Sequence, residues 1–141
     1  MNKILKGKGY APGIVEGEVI VSRKPFGFWQ GIDTKTGIIV DARHDLVGES
    51  IKDKVFVYPF GRGSTANSGV FVDAVREGNA PAAIINVKTE PMIIVSAILG
   101  HECFGKITPV IDSLAESPLD ALKTGDRVRV DGAAGTIEIL S

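Results

Sequence analysis

The sequence predicts a single mixed α/β domain over residues 1–141, with a β/β/α arrangement of elements. Three patterns carry this expectation. A partly alternating strand stands near the start, apolar strands alternate with apolar helices through the middle, and a period-two hairpin closes the chain. Seventeen glycines and seven prolines imply that these elements are short and joined by many tight turns.

Pro12-Gly13 is a turn signal, and residues 14–21 (IVEGEVIV) then open the sheet as a strand with one wet face. Residues 23–31 form a loop that holds three of the nine aromatic side chains, Phe26, Phe28 and Trp29. Short strands at 38–40 and 55–58 flank the polar, irregular run Arg43-His44-Asp45-Leu46-Val47-Gly48-Glu49. Residues 70–76 read as a helix ended by Gly78. The continuous apolar run 82–86 suits a parallel strand covered on both faces. Pro91 fits the first helical position before a helix over 92–99, stopped by Gly100. That helix is apolar nearly all round, so it needs burial on several sides or an interface. Residues 107–111 follow as a strand whose Pro109 points to an edge or irregular position. Ser117-Pro118-Leu119-Asp120 has the look of a capping box and starts a short helix that ends before Gly125. Residues 127–131 and 136–140 alternate across Gly132-Ala133-Ala134-Gly135 as an antiparallel hairpin.

Composition excludes several functions. With 44% hydrophobic and 23% charged residues, the chain predicts one soluble domain with room for a core. A net charge of −1 lacks the cationic surplus that a general nucleic-acid binder needs. No apolar run is long enough to span a bilayer, and residues 1–7 lack the apolar centre of a secretory signal, so a cytoplasmic location is expected. The lone Cys103 excludes an internal disulfide and reads as a small buried side chain. One cysteine and two histidines also fall short of the three or four ligands of a self-contained metal or iron–sulfur site. Metal chemistry would therefore draw its ligands from another chain.

The strongest candidate site is Gly61-Arg62-Gly63-Ser64-Thr65-Ala66-Asn67-Ser68-Gly69, between an apolar strand and an apolar helix. It delivers three hydroxyls, an amide and free N–H groups to the positive end of a helix, where an oxyanion or a reactive oxygen can be held. Ser64 is the candidate reactive residue, with Arg62, Gly63, Thr65, Asn67 and Ser68 shaping the pocket around it. Ordinary N-capping and turn formation explain the same residue types about equally well. The loop is neither a Walker loop nor a Rossmann fingerprint, and it has no nucleophile elbow.

Energetics limit what Ser64 does alone. An alcohol is roughly as weak an acid as water, with a pKa of about 15.7. Bringing it near neutrality asks for on the order of 10 kcal/mol, at about 1.36 kcal/mol per unit. A helix terminus supplies about 0.3–2 kcal/mol. A strong cation, a metal-bound substrate or a second chain must supply the difference.

Weaker candidates surround this motif. Trp29 and Gln30 are possible pocket-lining residues at a cavity mouth, and His44 is a third. His101 follows the apolar helix, where it faces the helix C-terminus favourably. Asn86 and Thr89-Glu90 form a second candidate site, at a strand end facing a helix start.

Several of these segments resemble the swivel domain of aconitase X. They are Gly61-Arg62-Gly63-Ser64-Thr65, Ala80-Pro81-Ala82-Ala83-Ile84-Ile85, Ile107-Thr108-Pro109-Val110, the opening Gly7-Lys8-Gly9-Tyr10-Ala11-Pro12-Gly13-Ile14-Val15-Glu16-Gly17, and Phe28-Trp29-Gln30-Gly31-Ile32-Asp33. The resemblance covers nearly the whole chain. It implies a swivelling β/β/α domain, as in the aconitase small domain, that closes over a larger subunit carrying an iron–sulfur cluster on its own cysteines. It also implies a dehydratase of small hydroxy acids: (R)-5-phosphomevalonate, giving trans-anhydromevalonate 5-phosphate, in archaeal members, or cis-3-hydroxy-L-proline in bacterial ones. The family's serine base maps onto Ser64, which would take a proton while the partner's cluster binds the leaving hydroxyl. Archaeal members are expected to carry Val-Gly-Ser where this chain has Ala66-Asn67-Ser68-Gly69, a difference that bears on the substrate.

Phosphohistidine carrier domains share the Ala-Pro-Gly-Ile stretch and a swivelling architecture, but they need a histidine in the loop before the helix. Residues 64–69 contain none, so that reading ranks lower, beside a non-catalytic structural subunit.

Overall fold

The computed structural model describes residues 2–62 and 65–140. Its elements are β1 (Ile4–Lys6), β2 (Lys8–Ala11), β3 (Ile14–Val21), β4 (Ile32–Asp33), β5 (Ile38–Ile39), β6 (Val55–Tyr58), α1 (Ala66–Arg76), β7 (Ala83–Asn86), α2 (Pro91–Phe104), β8 (Val110–Asp112), α3 (Pro118–Ala121), β9 (Arg127–Asp131) and β10 (Thr136–Ile139). Eight strands join in the order β1-β10-β9-β3-β6-β7-β8-β2, and β4 and β5 pair separately. β3, β6, β7 and β8 run parallel, while β9, β10, β1 and β2 join them antiparallel. This is the mixed α/β class expected.

Only Gly7 separates β1 from β2, yet these strands are the two ends of the sheet order. The sheet therefore curls until its ends meet. Side chains have no room at that seam: the Gly7 N–H donates to the Gly135 carbonyl at 2.8 Å. A Cβ on Gly9 would lie 1.8 Å from the Gly132 carbonyl oxygen.

Strand alternation sorts the core into two compartments. Val19, Val55, Val57 and Ile85 face inward to meet Val128, Val130 and Ile137 inside the curled sheet. Ile20, Phe56, Tyr58 and Ile84 face the other way, against Phe71, Ala74, Ile93 and Ala97 of the two long helices. β6 and β7 are buried along their whole length, as continuous apolar runs demand.

Four local expectations are corrected. The sheet does not open at residue 14, because β1 and β2 precede it; at three and four residues they are too short to show a period. α2 does not stop at Gly100 but runs to Phe104 and ends on Gly105, whose φ of 70° is left-handed. Gly100 instead lies buried within α2 facing α1, where a Cβ would sit in ordinary contact, 3.4 Å from Val75 Cγ2. The strand expected over 107–111 is only Val110–Asp112; Pro109 lies just before it in an irregular stretch, as expected, and its carbonyl accepts the Ile84 N–H at 2.9 Å. Cys103 is exposed, because the last turn of α2 projects beyond the core. The same helix buries Ile93, Ser96 and Ala97 while leaving Val95, Ile98, Leu99 and Phe104 exposed. Among the described residues no helix is long and apolar enough to cross a membrane.

Candidate active-site pocket

Two loops run side by side beyond the parallel pair β3–β6. Phe26 bridges to Gly61, with the Arg62 N–H donating to the Phe26 carbonyl at 3.0 Å and the Phe26 N–H to the Phe60 carbonyl at 3.3 Å. Phe26 is the pin: its ring stacks edge-on against Phe28 at 5.0 Å and Phe56 at 5.1 Å. Side chains have little room on either side of this junction, strictly at Gly31 and at the expense of the Glu90 side chain at Gly61. A Cβ on Gly61 would fall 2.7 Å from Glu90 Cγ, and one on Gly31 would fall 1.9 Å from the Gly27 carbonyl oxygen.

Asn67, buried at the second position of α1, fastens the two loops together. Its Oδ1 accepts the Trp29 N–H at 2.9 Å, and its Nδ2 donates to the Arg62 carbonyl at 2.7 Å. Between the loops opens a cavity of about 200 Å³. Trp29, Gln30 and Gly27 line it from the aromatic loop, Arg62 and Asn67 from the glycine loop, and Asp41 and Arg43 from a third segment after β5. Gln30 has a φ of 61°, an uncommon backbone state for a residue with a side chain.

The cavity's charge is set by three residues. Asp41 Oδ1 accepts the Arg43 N–H at 3.0 Å, while Oδ2 faces Arg62 Nη1 at 3.3 Å. The Arg43 N–H, followed by the Arg62 and Arg43 guanidiniums, holds the Asp41 carboxyl below the usual carboxylate range. Arg62 is thus partly neutralised. The Arg43 backbone is fixed at both ends, since its carbonyl also accepts from Lys24 Nζ at 3.2 Å.

His44 explains why this third segment holds its shape. It is only 5% exposed and sits edge-on to Phe26 at 5.3 Å. Nδ1 accepts the Leu46 N–H at 3.1 Å, which leaves the proton on Nε2, 3.1 Å from Ser22 Oγ. Ser22 in turn donates to Asp45 Oδ1 at 2.6 Å. Burial pushes the imidazole below its ordinary value, against the opposing pull of Asp45 and Asp41. The unfolded chain takes up this proton near pH 6.5 and the folded chain resists it. His44 therefore contributes full stability above that pH, and loses it as pH falls toward the lower folded value. Melting temperature should fall as pH drops below about 6.5, the ordinary histidine range. His44→Gln should flatten that part of the profile; an unchanged slope would place the proton uptake elsewhere.

Ser64 and Gly63 lie outside the described residues. Of the other expected site residues, Arg62, Asn67, Trp29 and Gln30 converge on one cavity. His44 does not line it and lies beneath the loop that does. Thr65 is the exposed N-cap of α1 without a side-chain cap bond, and Ser68 donates to the Thr65 carbonyl at 3.1 Å. Neither is among the cavity's lining residues. Sequence reading missed Asp41 and Arg43, whose signal was the charge-dense Asp41-Ala42-Arg43-His44-Asp45. The second candidate site lies against the first: Glu90 caps α2 through the Met92 N–H and backs onto Gly61. Asn86 is buried and donates to the Tyr58 carbonyl at 3.0 Å. Among the described residues no three His, Cys, Asp or Glu side chains are grouped to hold a metal ion.

Comparison with known proteins places this geometry. The family model described as the aconitase X swivel domain matches residues 4–139. The phosphomevalonate dehydratase small subunit of Methanosarcina acetivorans is 45% identical over 136 residues, covering 96% of this chain and 90% of that one. The protein of the same description from Pyrococcus abyssi is also 45% identical, over 96% and 98% of the two chains. A chain of holo-form aconitase X from Thermococcus kodakaraensis superimposes with a TM-score of 0.88 at 41% identity, covering 99% of each chain. A 3-isopropylmalate dehydratase from Methanocaldococcus jannaschii shares the fold, with a TM-score of 0.54 at 18% identity over 89% of this chain and 80% of that one.

Proposed function

The chain belongs to the aconitase X swivel-domain family, and from that membership we propose that it is the small subunit of a two-chain hydro-lyase. Its proposed reaction is dehydration of (R)-5-phosphomevalonate to trans-anhydromevalonate 5-phosphate. The near-full-length likeness to phosphomevalonate dehydratase small subunits carries this reading. The cavity supports it, since two guanidiniums from separate segments suit a substrate with two anionic groups.

In the reaction the C2–H bond breaks and its electron pair becomes the C2=C3 bond, while the C3 hydroxyl leaves with its bonding pair; that hydroxide and the C2 proton together make up the water released. Ser64 is the proposed acceptor of the C2 proton. Arg62, two residues before it, is placed to hold the neighbouring carboxylate. Asn67 has both amide atoms engaged in bracing the loops, so its part is to shape the pocket. Thr65, exposed at the start of α1, is proposed to join Gly63 in an oxyanion pocket, whereas Ser68 directs its hydroxyl proton to the Thr65 carbonyl and has a bracing part.

The donor set for an iron–sulfur cluster does not fit this chain: the lone Cys103 is exposed on α2, and no cluster of ligating side chains lies near it among the described residues. The cluster is assigned to the cysteines of a large partner subunit, and the assembly is proposed to work in the cytoplasm.

The test is reconstitution. The chain and an aconitase-like large subunit, purified together without oxygen, should form the conjugated acid from phosphomevalonate, and the chain alone should not. Activity of the lone chain, or turnover of cis-3-hydroxy-L-proline instead, would overturn the proposal. A phosphohistidine carrier would show an acid-labile phosphate on His44 or His101, and the burial of His44 disfavours that.

A further inference from the structure

We infer that Arg43 recognises the phosphoryl end of the substrate, making this small subunit the one that selects a phosphorylated acid. The assignment rests on the dehydratase reading above and extends it. Arg62 already has a carboxylate partner in Asp41 at 3.3 Å. The Arg43 guanidinium has no ion pair or hydrogen bond among the described residues, although it lines the same cavity. Its backbone is held on both sides, by Asp41 Oδ1 and by Lys24 Nζ, and the next residue is the buried His44. An exposed guanidinium with free donors, carried on a fixed backbone, matches the flat, bidentate contact that phosphate oxygens accept.

The two cations also divide the substrate between them. Arg62 precedes the proposed base by two residues, so it belongs with the carboxylate beside the reacting carbon. Arg43 comes from a different segment and is left for the remote anion. Hydroxyproline has a single carboxylate and offers nothing for a second guanidinium to bind.

Trp29 is the only tryptophan of the chain and lines this cavity, so its fluorescence reads occupancy directly. Titrating the full chain with inorganic phosphate at fixed ionic strength should give a saturable change, with acetate at least about tenfold weaker. Arg43→Gln should weaken the phosphate response about tenfold to a hundredfold, the usual range for a lost charge-assisted contact. Arg129→Gln, on the far hairpin, should leave it unchanged. In the reconstituted enzyme Arg43→Gln should raise KM for phosphomevalonate by a similar factor with a smaller change in kcat. Equal titrations of wild type and Arg43→Gln, equal responses to phosphate and acetate, or no saturable response at all would each overturn the inference. Failure of the dehydratase reading looks different: the reconstituted wild type would leave phosphomevalonate untouched while the Arg43-dependent phosphate signal persisted.

Discussion

Ser64→Ala in the assembled enzyme is expected to lower kcat by about 10²–10⁴-fold, the usual share of a positioned proton acceptor. KM should move little if, as proposed, arginines and not the hydroxyl hold the anionic groups of the substrate. Assembly with the large subunit should survive. The loss should appear only in the complex, since a serine made basic against about 10 kcal/mol needs more than the roughly 0.3–2 kcal/mol of a helix terminus. Deuterium at C2 provides the second readout. If Ser64 removes that proton, the residual reaction of the alanine variant should be slowed further by the heavier isotope. Turnover retained in Ser64→Ala would move the base to another residue, with the fold and the partner unaffected.

Where the chain's own pattern decides structure, the sequence was legible. β3, β6, β7 and the β9–β10 hairpin follow from apolar periodicity, and the structure places each within a residue or two of expectation. β1 and β2 were not legible, because they exist only through closure of the sheet at Gly7, a contact between residues more than a hundred positions apart. Gly100 misled for a related reason: in isolation it reads as a helix stop, whereas in the fold it is buried inside a helix packed against α1. The site divides along the same line. Arg62, Asn67, Trp29 and Gln30 announced themselves by density of motif. Asp41 and Arg43 reach the cavity only because the short β4–β5 ribbon and the burial of His44 fold a distant polar segment over it. A histidine in a charged run reads as a surface residue; the Ser22 and Leu46 contacts that draw it inward are tertiary.

That dependence on tertiary bracing makes Asn67→Ala the most informative structural variant. The amide performs two tasks at one point, accepting the Trp29 N–H at 2.9 Å and donating to the Arg62 carbonyl at 2.7 Å. Alanine removes both bonds and leaves both backbone groups without their partner. At about 1 kcal/mol for each such bond, stability should fall by about 2 kcal/mol. For a chain of this length that is a loss of roughly 3–4 °C in Tm per kcal/mol. The functional cost should be larger than the thermal one. Trp29 and Arg62 stand on opposite walls of the cavity, and a misplacement of about 1 Å is worth on the order of 10²-fold in rate. kcat/KM should therefore drop about a hundredfold even at temperatures where the variant is fully folded. Asn67→Asp separates the two bonds: its carboxylate still accepts the Trp29 N–H but turns an oxygen toward the Arg62 carbonyl. It should melt between wild type and Asn67→Ala, and it should lose activity through the glycine loop alone. An Asn67→Ala enzyme with unchanged melting and turnover would show that the two loops hold their spacing without this brace, and that the Phe26–Gly61 bridge suffices to set the pocket.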